Sequence, residues 1–232
     1  TVANKWVRFN GNAYSDVTPS GMSHTPYSMK AYKGNIYAAS YDATNYQVEI
    51  MKSVDDGTTW TALSGMVVTE PNNQIIDLIR YKDQSGQPTL LLHVTSGLYM
   101  LDLAAESLTL ITDFGGDTPV NGISHNAIAR EFGGNLYLPR NKKLIEYHYT
   151  GPWQDVSPIT NARLDANYIF EASNISALDV GGPWLFVAIS SGAKNSVWKF
   201  DGLGFHYVWQ SGTTTANPGI PSIAVFHNTA AG

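Results

Sequence analysis

Four glycine-bearing turns stand 48 to 52 residues apart along the chain, at Gly34, Gly86, Gly134 and Gly182. Each lies between two apolar runs: MKAYKGNIYAAS from Met29, IAREFGGNLYLP from Ile128 and ALDVGGPWLFVAI from Ala177, with a longer turn in LIRYKDQSGQPTLLLHV from Leu78. A period of this length marks one supersecondary unit copied along the chain, each copy burying its apolar face against the next. A second hairpin follows each of these, in EIMKSVDDGTTWTAL from Glu49, LIEYHYTGPWQDV from Leu144 and VWKFDGLGFHYVW from Val197. KWVRFNGNAYSDV from Lys5 is another copy, and LYMLDLAAESLTLI from Leu98 carries Ala104-Ala105-Glu106 in place of the glycine turn. The runs are short and rich in Val, Ile, Leu and aromatic residues. Gly, Pro, Asn and Asp separate them, and helical periodicity is nearly absent, so the elements are strands.

Two hairpins per period give four strands, a to d, which is the blade of a β-propeller. The expected fold class is therefore all-β, a single propeller domain over residues 1–232 with about five four-stranded blades. Four blades fall at about 26–65, 74–115, 123–160 and 173–212, and a closing blade pairs 220–228 with 5–18. The closing blade is one strand short. Either it has three strands, or another chain in an assembly supplies the fourth, or the sequence is a piece of a longer protein. An open strand edge is a liability that proteins cover.

The stretch SVDDGTTW is the densest turn signal in the sequence. A tight hairpin needs positive φ, which Gly reaches at little cost and Asn or Asp tolerates. The stretch resembles the Asp box, S-x-D-x-G-x-T-W, of sialidases and other Asp-box propellers, matching at Ser53, Asp55, Gly57, Thr59 and Trp60. The resemblance implies a structural role: the aspartate and hydroxyl residues hold turn amides while the tryptophan packs into the blade. VWKFDGLGFHYVW and LIEYHYTGPWQDV also look like hairpins of propeller domains in phage tail and surface proteins.

Sialidase chemistry would need an arginine triad, and the F/Y-R-I-P motif of that family is absent; the arginines are Arg8, Arg80, Arg130, Arg140 and Arg163. Two facing carboxylates would serve another glycosidase, and Glu70, Asp117, Asp165 and Glu171 lie on expected d-to-a connections. Solvated loop carboxylates are the plainer reading of those four. No G-x-S-x-G, P-loop or G-x-G-x-x-G pattern opens a helix. The six histidines lack metal-ligand spacing, and there is no cysteine to form a disulfide, a thiolate nucleophile or a metal ligand. No cofactor, no metal and no enzymatic activity are expected. Trp6, Trp60, Trp153, Trp198 and Trp209 fall on the repeated outer hairpins and are expected to pack between blades.

Lys and Arg number 14 against 19 Asp and Glu, a formal charge of -5 with no basic run, which argues against nucleic-acid binding. No apolar run is long enough to span a bilayer, and TVANKWVRFN lacks the regions of a signal peptide. With only 14% charged residues and much Thr, Ser, Asn, Gly and Tyr, the chain suits an extracellular or virion setting. Propellers bind on the face formed by d-to-a and b-to-c connections, which vary without disturbing strands. Candidate ligand residues there are His24, Tyr27, Asn73, His125, Asn126, Tyr168 and Glu171, facing a protein partner or a glycan. The sequence reads as a non-catalytic binding or structural module of a larger extracellular or phage-virion assembly. A lectin-like glycan binder is the alternative, and a glycoside-active enzyme is third.

Overall fold

The computed structural model describes residues 6–9, 11–17, 20–21, 24, 26–42, 44–69, 75–113, 129–140, 143–156, 174–190, 195–211 and 223–225. All regular structure among them is β, and no helix is long and apolar enough to cross a membrane. β1 (Trp6–Phe9) and β2 (Tyr14–Val17) form a hairpin. The first four-stranded sheet comprises β3 (Pro26–Tyr32), β4 (Asn35–Asp42), β5 (Gln47–Ser53) and β6 (Thr61–Thr69); the second comprises β7 (Ile75–Lys82), β8 (Pro88–Val94), β9 (Gly97–Asp102) and β10 (Ser107–Asp113). The third contains β11 (Arg130–Phe132), β12 (Asn135–Arg140), β13 (Lys143–Tyr147) and β14 (Gln154–Asp155); the fourth contains β15 (Asn174–Gly181), β16 (Trp184–Ser190), β17 (Asn195–Phe200) and β18 (Phe205–Gln210). Each sheet is an antiparallel meander in which every strand pairs with its neighbour in sequence.

These four sheets coincide with the four full repeats, and the recurring glycines Gly34, Gly86, Gly134 and Gly182 all hold positive φ, as tight a-to-b turns require. One boundary differs from the sequence reading. Gly65 was expected to end the first blade, yet β6 continues to Thr69. A Cβ on Gly65 would stand 2.0 Å from the carbonyl oxygen of Glu106, so this glycine marks a close backbone approach rather than a strand end. Of the expected closing blade, the β1–β2 hairpin and residues 223–225 lie among the described residues.

The chain forms two compact units, Thr1–Asp83 with Gln87–Thr118, and Gln84–Gly86 with Pro119–Gly232. In the first unit, strand alternation turns Tyr37, Ala39, Tyr41, Val48 and Ile50 toward Leu78, Leu90, Leu92 and Val94 of the second sheet, and all are buried. Burying each large side chain contributes roughly 1.5–3 kcal/mol. Polar bonds tie the inner strands as well. Ser28 Oγ donates to Asp77 Oδ1 at 2.6 Å and accepts the Leu78 amide at 3.0 Å, while Lys30 Nζ lies 3.1 Å from the same carboxylate oxygen.

In the second unit Tyr137, Leu144, Leu178, Leu185, Val187, Trp198 and Phe200 make the corresponding core. Arg130 Nε reaches Asp179 Oδ1 at 3.4 Å, and the Val225 amide donates to Asp179 Oδ2 at 2.8 Å. Partial burial disfavours ionisation of Asp179, but the Val225 and Val180 amides and the Arg130 guanidinium together hold its carboxyl below the usual carboxylate range. The expectation that the tryptophans all pack between blades fits Trp198, buried in a cluster that draws on the third and fourth sheets; it does not fit Trp60, which packs within its own sheet, or Trp153 and Trp209, which are 39% and 49% exposed. Trp209 sits on β18, an outer strand paired on one side only.

Candidate functional site

β5 of the first sheet has two polar ends, and they differ in kind. At the end after Ser53 the SVDDGTTW turn closes on itself. Asp55 Oδ1 accepts the Thr59 amide at 2.8 Å and Asp55 Oδ2 accepts the Thr59 hydroxyl at 2.7 Å. Ser53 Oγ accepts the Gly57 amide at 2.9 Å and donates to Asp55 Oδ1 at 2.8 Å. Trp60 Nε1 donates to Gly57 O at 2.9 Å, and its ring packs with Ala38 and Met51. The Thr59 hydroxyl, then its amide and the Ser53 hydroxyl, hold the Asp55 carboxyl down to about 2. The Ser53, Asp55 and Thr59 side chains are thus bonded to one another and to amides of the turn, so they offer little to a ligand.

The chain segment before β3 joins the two ends. Ser20 bridges to Thr59, and a Cβ on Gly21 would meet Trp60 O at 2.2 Å, so the backbone passes tightly there. By His24 it has reached the opposite end of the sheet. There the imidazole lies between two carboxylates, Nε2 at 3.6 Å from Asp42 Oδ1 and Nδ1 at 3.7 Å from Glu49 Oε2. Asp42 is the last residue of β4 and caps the β4–β5 turn, accepting the Thr44 amide at 2.8 Å, the Asn45 amide at 3.3 Å and Asn45 Nδ2 at 2.6 Å. The Thr44 amide is the strongest of the influences that, against partial burial, lower the Asp42 carboxyl below the usual range; Asn45 and His24 add to it.

Ser40 lies two residues before Asp42 on the same face of β4 and pairs in register with Glu49. Tyr27 and Tyr46, each more than half exposed, stand at this end of the sheet. The arrangement combines a fixed anion, a second carboxylate that is one-quarter exposed, an imidazole and two open aromatic rings. Such a set can accept hydrogen bonds from hydroxyls and stack on sugar faces. Among the described residues no group of three or more His, Cys, Asp or Glu side chains is arranged to hold a metal ion.

Of the ligand residues expected from sequence, His24 and Tyr27 are found at this end of the first sheet. Asn73, His125, Asn126, Tyr168 and Glu171 lie outside the described residues, as do Glu70, Asp117 and Asp165. Asp42, Glu49 and Ser40 were not anticipated. The D-A-T-N turn at Asp42 was the available signal, since Asp followed two and three residues later by turn amides is an Asx-turn pattern.

No family model matches the chain, and no curated protein does. Solved structures do. The extracellular domain of a protein described as a hybrid two component system of B. thetaiotaomicron is 15% identical with a TM-score of 0.53, over 85% of this chain and 24% of that one. The α-L-arabinofuranosidase Arb93A of Fusarium graminearum is 13% identical with a TM-score of 0.50, over 79% of this chain and 65% of that one. An α-L-arabinanase of Penicillium chrysogenum is 12% identical with a TM-score of 0.45, over 74% of this chain and 60% of that one. The chain thus spans about a quarter of the first protein's length and under two thirds of the others'.

At these identities the likeness is one of fold: the chain has the all-β architecture of β-propeller-type proteins. It also corrects the expectation of a non-catalytic chain, because a glycosidase stands among the structures of this fold that it resembles. None of the three is a virion or tail protein.

Proposed function

We propose that this chain is a glycan-recognising β-propeller domain that works outside the cell and binds sugar at the His24, Asp42 and Glu49 end of its first sheet. The observation that carries the reading is the imidazole held between two carboxylates beside exposed Tyr27 and Tyr46, at the end of the sheet formed by a b-to-c turn and a d-to-a connection. The extracellular neighbour supports the setting. About five blades is the favoured count, with residues 223–225 in the inner position of a fifth; the Val225 amide bond to Asp179 supports this.

Glycosidic-bond hydrolysis is the second reading, favoured by the arabinofuranosidase neighbour and by the Glu49–His24 pair. One experiment separates the outcomes. The chain is titrated with arabino-, xylo- and malto-hexaose by calorimetry, and sugar release is followed in parallel. Saturable binding that weakens at least tenfold in Glu49→Gln is expected. Turnover abolished by Glu49→Gln would establish hydrolysis, and absence of binding to every sugar would overturn the glycan reading.

A further inference from the structure

We infer that Ser40, with Glu49 and His24, forms a subsite for one hydroxyl oxygen and that a sugar hydroxyl is its occupant; this rests on the glycan reading above. Ser40 is 1% exposed, and among the described residues its Oγ has no hydrogen-bond partner. Three other buried serines are satisfied. Ser53 Oγ accepts the Gly57 amide, Ser176 Oγ donates to Ala188 O, and Ser196 Oγ accepts Trp198 Nε1. A hydroxyl both donates and accepts, and burying one with neither partner costs stability that the fold does not recover.

The surroundings select the occupant. Ser40 stands across the ladder from Glu49 and one alternation from Asp42, the two carboxylates that His24 bridges. An anion is repelled there. An ammonium group donates only and would leave the Ser40 proton unaccepted. A sugar hydroxyl satisfies both sides, accepting from Ser40 and donating to Glu49.

Ser40→Ala tests this. Its hydroxyl has no protein partner among the described residues, so the thermal midpoint without sugar is expected to stay the same or rise. Affinity for the hexaose that binds the wild-type chain best among arabino-, xylo- and malto-hexaose is expected to fall about tenfold. A lower midpoint without sugar would assign Ser40 to a trapped water and overturn the subsite. Unchanged affinity in Ser40→Ala alongside a loss in Glu49→Gln would overturn this inference and leave the glycan reading standing. A wild-type chain that binds none of the three sugars would overturn both.

Discussion

Asp55 shows how much one residue of the turn can be read, and tested, through its charge. Five donor and acceptor residues within eight positions make their partners local, which is why the geometry of the SVDDGTTW turn was legible in the sequence. Its carboxyl, ordinarily near 3.8, is held at about 2 in the folded chain. A depressed carboxyl means that the fold favours the ionised form, so the stabilisation is full above the ordinary value and is lost as pH falls from about 4 toward 2. Asp55→Asn keeps the shape and removes the charge. It is expected to lower the urea midpoint at pH 7, with the gap from wild type closing as pH approaches 2. A gap that stays constant across a urea series from pH 7 to pH 2 would show that the carboxylate charge is not what the turn uses. His24 was legible as a candidate ligand residue on a connection, but its carboxylate partners Asp42 and Glu49 were not, because they arrive on two strands.

At the scale of the strand, the inner ladders carry a feature that periodicity could not reveal. Lys30 and Arg130 occupy matching places one residue before the a-to-b turn sequences A-Y-K-G-N and E-F-G-G-N, and each meets an aspartate on the first strand of the following sheet. The glycine spacing gave the hairpins and the order of strands, since every pairing is between neighbours in sequence. It did not give the side-chain ties between sheets, which depend on register across elements with no turn to fix them. The Asp77 side chain is 6% exposed and accepts from Ser28 and Lys30, whereas the Asp179 side chain is 24% exposed. Asp77→Asn is therefore expected to cost about 2 kcal/mol in denaturant unfolding, and Asp179→Asn less. Equal costs at the two positions would mean that burial does not set the strength of these ties.

For the molecule as a whole, the repeat made the all-β architecture readable, while closure was not, because no local signal says which strand covers the last sheet. Gly181 offers a direct probe of that question. It ends β15, and a Cβ built there would stand 2.2 Å from Val225 Cγ1 and 3.2 Å from Phe186 Cε2. Its φ is not in the left-handed region, so alanine meets no backbone strain. On a bare strand end, Gly→Ala would raise stability by about 0.4–1 kcal/mol through the unfolded chain. With residues 223–225 docked on β15, the same methyl is an overpacking change costing about 1–3 kcal/mol. The sign of the effect thus reports docking. Gly181→Ala is expected to lower the denaturant midpoint and to speed proteolysis of the C-terminal segment, and Val225→Ala in the same chain is expected to restore part of the loss as a coupled pair. A gain in stability from Gly181→Ala alone would show that residues 223–225 do not cover β15.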